Sequence, residues 1–152
     1  MVLKGKHSAS EFKFAIILSL FNEFIGQKLL DEALNTLKEN GCPDENIDII
    51  KVPGAFEIPI TADVLLSKNK YDAVICLGTI IRGETPHFEY ISQSVSSGII
   101  QVSIKHSTPV LFGVLTTDNI EQALQRAGDN GENKGADVSL AAIEMADIMR
   151  KL

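Results

Sequence analysis

Residues 72–90 read DAVICLGTIIRGETPHFEY, and the way this stretch folds decides how the rest of the chain can be arranged. Its first half, Ala73 to Gly78, holds only small or apolar side chains, the composition of a strand buried on both faces. The strand is expected to break at a glycine-containing turn and to re-enter a helix through Thr85-Pro86-His87. Thr85 is placed as the N-cap and Pro86 as the first helical residue, where a missing N–H costs no hydrogen bond. Such a turn leaves unpaired backbone N–H groups and the positive end of a helix dipole above the strand, which is a place for an anion. His87, in the first helical turn, would stand beside that anion and can exchange a proton with it or its neighbours. A plain surface histidine is the alternative reading.

Upstream, Phe12 to Leu20 (FKFAIILSL) is apolar almost throughout, a second doubly buried strand. It runs into Phe21-Asn22-Glu23, where Asn22 is expected to cap a helix that extends to about Asn40 and stops at Gly41. Leu29, Leu30, Ala33, Leu34 and Leu37 recur in it at helical spacing. Asn46 to Val52 (NIDIIKV) reads as a strand broken by Pro53-Gly54, and Ala55 to about Lys68 returns to helical spacing through Ile58, Ala62, Leu65 and Leu66. Downstream, Ile91, Val95, Ile99 and Val102 share one face of a helix from Thr85 to about Ile104. Pro109 to Leu115 (PVLFGVL) is a fourth strand. Asp118 is expected to cap a short helix to Arg126, and a glycine-rich loop, Gly128 to Gly135, leads to a last helix ending near Leu152. Residues 1–11 read as a tail or arm ahead of one domain, 12–152. Strict alternation of strand and helix predicts an α/β fold, a four-stranded parallel sheet with helices on both faces. Ligands of such sheets bind beyond the carboxyl ends of the strands, here Phe21-Asn22, Pro53 to Glu57, Gly78 to His87 and Leu115 to Thr117.

The formal net charge of -6 gives no basic field for nucleic acid or an anionic membrane, so a phosphate site must be built locally. Cys42 and Cys76 lack CxxC spacing and read as reduced structural residues, and His7, His87 and His106 fit no zinc pattern. The N-terminus, MVLKGKHSAS, has no signal-peptide core, and no apolar run is long enough to span a bilayer, so a cytoplasmic location is expected. The loop after the first strand, SLFNEFIG (Ser19 to Gly26), has neither the GxGxxG spacing of dinucleotide binding nor a Walker lysine, and there is no GxSxG elbow. What remains is distributed. Phe21 can stack on a flat ring or act as a hydrophobic staple, and Glu57 can bind ligand or simply complement a helix dipole. Arg126 and Lys134 are cations at a helix end and in the glycine loop, and Arg82, beside Gly83, could also meet an anion.

Four segments together carry a specific likeness: VPGAFEIP (Val52 to Pro59), GTIIRGETPHFEY (Gly78 to Tyr90), PVLFGVLTTDNIEQALQRAG (Pro109 to Gly128) and NKGADVSLAAIEMA (Asn133 to Ala146). In order and spacing, from about Phe12 onward, the chain resembles the 6,7-dimethyl-8-ribityllumazine synthases. The resemblance implies a single-domain three-layer α/β/α sandwich of flavodoxin-like type. It also implies the penultimate step of riboflavin synthesis: condensation of 5-amino-6-(D-ribitylamino)uracil with 3,4-dihydroxy-2-butanone 4-phosphate, releasing phosphate and water. Carried over by position, Phe21 would stack on the pyrimidine, Ala55, Phe56 and Glu57 would line the ribityl pocket, and Thr79, Ile80 and Ile81 would contact the ring. Glu84 and Thr85 would form the phosphate turn, and His87 would shuttle protons. Phe112, Arg126 and Lys134 would come from a neighbouring subunit, with Arg126 on the phosphate. No metal or organic cofactor is implied. The family forms pentamers with sites between subunits, and in many members twelve pentamers close into an icosahedral shell, which the uninserted Arg126 to Lys134 spacing favours. A lumazine- or flavin-binding protein and a purely structural shell protein are the competing readings, and the retained His87, Arg126 and Lys134 argue against both.

Overall fold

The computed structural model describes all residues, 1–152. Its elements alternate as β1 (Phe14–Ser19), α1 (Glu23–Glu39), β2 (Ile47–Val52), α2 (Ile58–Leu66), β3 (Ala73–Ile81), α3 (His87–His106), β4 (Val110–Thr117), α4 (Ile120–Arg126) and α5 (Lys134–Lys151). The four strands form one sheet in the order β2-β1-β3-β4, and every pairing is parallel. In register, Ile17 lies between Ile50 and Cys76, and Leu77 lies between Leu18 and Gly113.

The continuous apolar runs of β1 and β3 are explained by burial on two sides. Phe14, Ile16, Leu18, Ile75 and Leu77 point to one face, where they pack with Ile25, Leu29 and Leu37 of α1 and Ala142 and Ile143 of α5. Ala15, Ile17, Val74 and Cys76 point to the other, against Ile58 and Ala62 of α2 and Val95, Ile99 and Val102 of α3. The result is a three-layer α/β/α sandwich of flavodoxin-like type, as the alternation and the resemblance led one to expect. Each fully buried Leu, Ile or Phe contributes on the order of 2–3 kcal/mol relative to exposure, so the two inner strands dominate the stability. Both cysteines are free and buried; burial, with smaller help from Asp44 and Glu45, pushes the Cys42 thiol up to about 11.

The topology opens a crevice. From β1 the chain goes to β2 through α1 on one face, then crosses back to β3 through α2 on the other. The connections diverge at the carboxyl ends of β1 and β3, the position where open α/β sheets hold ligands.

Several boundaries differ from the sequence reading. β3 does not break at Gly78 but runs on to Ile81, and Arg82 still donates its N–H to the Thr117 carbonyl at 2.8 Å. Gly78 serves close packing rather than a turn, because a Cβ there would lie 2.8 Å from Cβ of Ser19. Asn22 does not cap α1: it takes a left-handed backbone (φ 59°, ψ 47°) without a capping bond, and its Nδ2 reaches the Thr79 carbonyl at 3.5 Å. α3 begins at His87, one residue later than expected, with Pro86 in the cap position and the Thr85 hydroxyl 3.5 Å from the His87 N–H. It also runs past Ile104 to His106. A tight turn over Ala55–Glu57 precedes α2. Asn119, not Asp118, caps α4: its Oδ1 accepts from the Gln122 N–H at 2.9 Å, while Gln122 Oε1 accepts from the Asp118 N–H at 2.8 Å. That reciprocal pair is a capping box shifted by one residue.

Residues 5–11 lie along α5 and the end of α1 of their own chain. Ala9 is fully buried and donates to the Asn40 carbonyl at 2.8 Å, and the Lys6 N–H meets the Asp147 carboxylate at 2.8 Å.

α5 approaches α1 closely at Gly135, where an added Cβ would stand 2.1 Å from the Leu29 carbonyl oxygen. Backbone cannot yield as a side-chain tip can, so Gly135→Ala is expected to cost about 2–3 kcal/mol or more, at the upper end of overpacking penalties. A urea titration should show the midpoint falling at constant slope. Gly83→Ala, at a position with no neighbour within 4 Å, is the matched control and should leave the midpoint in place.

Candidate active site

A groove of about 460 Å³ opens at the crevice. The turn just past β1 contributes Phe21, which is 70% exposed and lines the groove. An aromatic face left in water at a cavity edge is suited to stacking on a flat ligand, and a core staple would be buried instead. The left-handed Asn22 that follows turns the chain into α1 and sets where that ring stands. The segment after β2 contributes Gly54, Ala55, Phe56 and Glu57, and the Glu57 carboxylate folds back over Gly54, 3.3 Å from where a Cβ would be. The last residues of β3, Thr79, Ile80 and Ile81, form the wall, and Gly83, Thr85 and His87 the rim.

The loop between β3 and α3 presents donors. The N–H groups of Gly83, Glu84 and Thr85 bond to no oxygen of the chain, and behind them stands the N-terminus of the 20-residue α3. Free N–H groups and the positive end of a helix dipole thus share one loop, with His87 in the first helical turn. Glu84 shares this loop without lining the groove.

Arg82, read from the sequence as a possible anion ligand, is otherwise engaged. Its Nε donates to Asp118 Oδ1 at 2.9 Å, its Nη1 to Glu89, and its guanidinium lies over the Phe88 ring at 4.4 Å. Two carboxylates and an aromatic face already satisfy the charge, and the side chain does not line the groove.

Phe112, Arg126 and Lys134 are elsewhere. They line a second hollow of about 390 Å³ with Leu115, Thr116 and Asp137, between β4, the last turn of α4 and the start of α5. Arg126 holds itself by donating to the Gln122 carbonyl at 3.2 Å. Lys134 opens α5, whose cap is Asn133, accepting from the Gly135 and Ala136 N–H groups at 2.8 and 3.3 Å. A single chain thus brings Phe21, Ala55, Phe56, Glu57, Thr79, Ile80, Ile81, Thr85 and His87 together, but it does not bring Phe112, Arg126 or Lys134 into the same cavity. One hollow has a stacking ring, free N–H groups and an imidazole; the other has two cations, Arg126 and Lys134, beside two carboxylates, Glu132 and Asp137. Sequence reading missed Phe88 and Ile91 among the groove residues, while Gly54 and Gly83 fall within the strand-end segments it named. Phe88 and Ile91 had a signal, since Ile91 sits on the apolar stripe of α3 and Phe88 one helical step before it.

The chain was compared with known proteins. The family model described as 6,7-dimethyl-8-ribityllumazine synthase matches residues 11–150. Proteins of that name from two strains of Clostridium kluyveri are 55% identical over 151 residues, spanning 99% of this chain and 98% of each relative. The matched span takes in both hollows and every strand of the sheet that shapes them, and on that likeness the chain belongs to the 6,7-dimethyl-8-ribityllumazine synthase family.

Proposed function

We propose that the groove and the hollow that holds Arg126 and Lys134 are the two halves of one active site, joined between neighbouring copies of the chain. There the enzyme condenses 5-amino-6-(D-ribitylamino)uracil with 3,4-dihydroxy-2-butanone 4-phosphate. The observation that carries the composite site is the separation itself: the residues the family motif unites lie in two cavities of one chain.

In this reading Phe21 stacks on the pyrimidine while Thr79, Ile80 and Ile81 meet its edge. Ala55, Phe56 and Glu57 receive the ribityl chain, whose hydroxyls can donate to the Glu57 carboxylate. The substrate phosphate sits on the free N–H groups of the Gly83–Thr85 turn, with Glu84 supplying backbone to it, and the partner copy brings Arg126 and Lys134 to its open side, with Phe112 against the ring. The amine attacks the ketone and water leaves to form an imine. Proton loss then expels phosphate, and attack of the second nitrogen on the resulting carbonyl closes the ring with loss of a second water. Every step moves a proton and none moves an electron pair to an outside acceptor. His87, beside both the phosphate locus and the pyrimidine, is the group that takes and returns those protons. Alignment of two reactants that are already mutually reactive supplies the rest of the rate.

The assembly that meets these needs is the family's pentamer, with closure of twelve pentamers into a shell as its further stage. Ile60 and Val64 of α2 and Ile100 and Ile104 of α3 are exposed apolar residues that support burial against another copy. Two reduced, buried thiols and a soluble phosphorylated substrate support action in the cytoplasm. No helix is long and apolar enough to cross a membrane.

Purified protein given both substrates should produce the lumazine absorbance and free phosphate in equal amounts. Tight binding of the pyrimidine without either product would mean that the groove is a binding site only.

A further inference from the structure

The Gly83–Pro86 loop has little structure of its own. None of its N–H groups is bonded within the chain, its one side-chain hydrogen bond is the long 3.5 Å approach of the Thr85 hydroxyl to the His87 N–H, and a Cβ added at Gly83 would meet nothing within 4 Å. A loop left that free would wander, and ordering it on an anion would cost affinity. Its two ends, however, are joined. Arg82 precedes the loop, and its guanidinium grips Phe88 and Glu89 in the first turn of α3, just beyond the loop's other end. The same guanidinium is bonded to Asp118, which follows β4 and is tied through its N–H to Gln122 of α4. Its own backbone is fixed to Thr117.

We propose that Arg82 is a positioning residue: a brace that closes the ends of the anion-binding loop and fixes the first turn of α3, so that the loop N–H groups and His87 are set before substrate arrives. It acts through the loop and touches no substrate. A lysine cannot replace it, because only the planar fork can serve two carboxylates and stack on a ring at once. The inference deepens the proposed phosphate site and rests on that assignment.

Steady-state kinetics with each substrate varied in turn test it, alongside calorimetric titration with inorganic phosphate. In Arg82→Ala and in Arg82→Lys the KM for the phosphorylated ketone should rise about tenfold, with kcat reduced severalfold, because a preorganised anion loop must now be ordered on binding. The KM for the pyrimidine should stay within about twofold. Asp118→Asn keeps the guanidinium and loosens the brace, and it should weaken inorganic phosphate in the same direction as Arg82→Ala. A direct ligand would behave oppositely: Asp118→Asn would free the guanidinium and tighten phosphate. That result would overturn the proposal, as would an unchanged ketone KM in Arg82→Ala or an equal rise in both KM values. The phosphate titration needs no turnover, so the brace is tested even if the assigned condensation is not observed; in that event the function fails by itself. Wild type that does not bind phosphate, or variants that bind it as wild type does, would sink the brace alone.

Discussion

Arg126→Ala is expected to lower kcat/KM for the phosphorylated ketone by about a hundredfold, chiefly through KM, because it removes charge-assisted hydrogen bonds of about 2–3 kcal/mol to a dianion. Little stability should be lost with it. Arg126 is exposed at the last turn of α4, and within the chain its guanidinium bonds only to the Gln122 carbonyl of its own helix. The pyrimidine KM should be nearly unchanged, since no groove-lining residue lies against this arginine. His87→Ala should give the complementary pattern. The imidazole sits at the groove rim and is the proposed proton carrier, so kcat should fall while both KM values are kept. Its factor should be the smaller, about tenfold, because alignment of reactive partners supplies much of the acceleration. Separate titrations of the two substrates against each variant decide the matter. An equal loss of pyrimidine affinity in both would remove the division of labour between anion clamp and proton shuttle.

The parts of this fold that could be read in the sequence are those set by burial. FAIILS and AVICLG are small or apolar throughout, with Ser19 the one polar side chain, because both faces of β1 and β3 are covered, and a pattern with that cause is visible in the sequence itself. The misplaced features depend on single hydrogen bonds or on close backbone approach. Asn22 is a good capping residue by type, yet the chain needs a sharp turn after β1, and asparagine is one of the few side chains that tolerates a left-handed backbone. Gly78 resembles a turn residue but is required by the Ser19 side chain of the neighbouring strand, a long-range demand invisible in local sequence. Asp118 and Asn119 are both capping types, and only geometry separates the cap from the residue that binds Arg82. The candidate site divides in the same way. The groove residues follow from the strand ends, which periodicity locates. The placement of Arg126 and Lys134 in another hollow depends on how α4 and α5 return over the sheet, which no local pattern specifies. Arg82 shows the limit most clearly: an arginine beside a glycine-containing loop reads as an anion ligand until its two carboxylate partners, 36 and 7 residues further on, are seen on it.

The separation of the two hollows leads to the prediction with the sharpest outcome. A site shared between copies can be restored by mixing two variants that are each inactive, provided each lacks a different half. Arg126→Ala disables the hollow that holds Arg126 and Lys134 and leaves the groove untouched. For the groove, Gly83→Glu is suitable: open space surrounds this glycine, so a side chain is accommodated, and its carboxylate then faces the loop N–H groups where the substrate phosphate would sit. Repulsion between like charges in a partly desolvated cavity should reduce turnover of this variant at least a hundredfold, on the order of 3 kcal/mol. Chains of the two kinds, produced together in equal amounts, should assemble at random. A working site then needs the groove of an Arg126→Ala chain beside the hollow of a Gly83→Glu chain, which occurs at about one junction in four in a ring of head-to-tail contacts. Activity should therefore recover to about a quarter of wild type, far above either variant alone, and native mass spectrometry of the same preparation should show the two chains in one assembly. Were the groove sufficient within its own chain, mixed assemblies would form and remain as inactive as their components. A recovered quarter would establish that this chain catalyses only in company, because the cation that binds the phosphate and the loop that receives it belong to different copies.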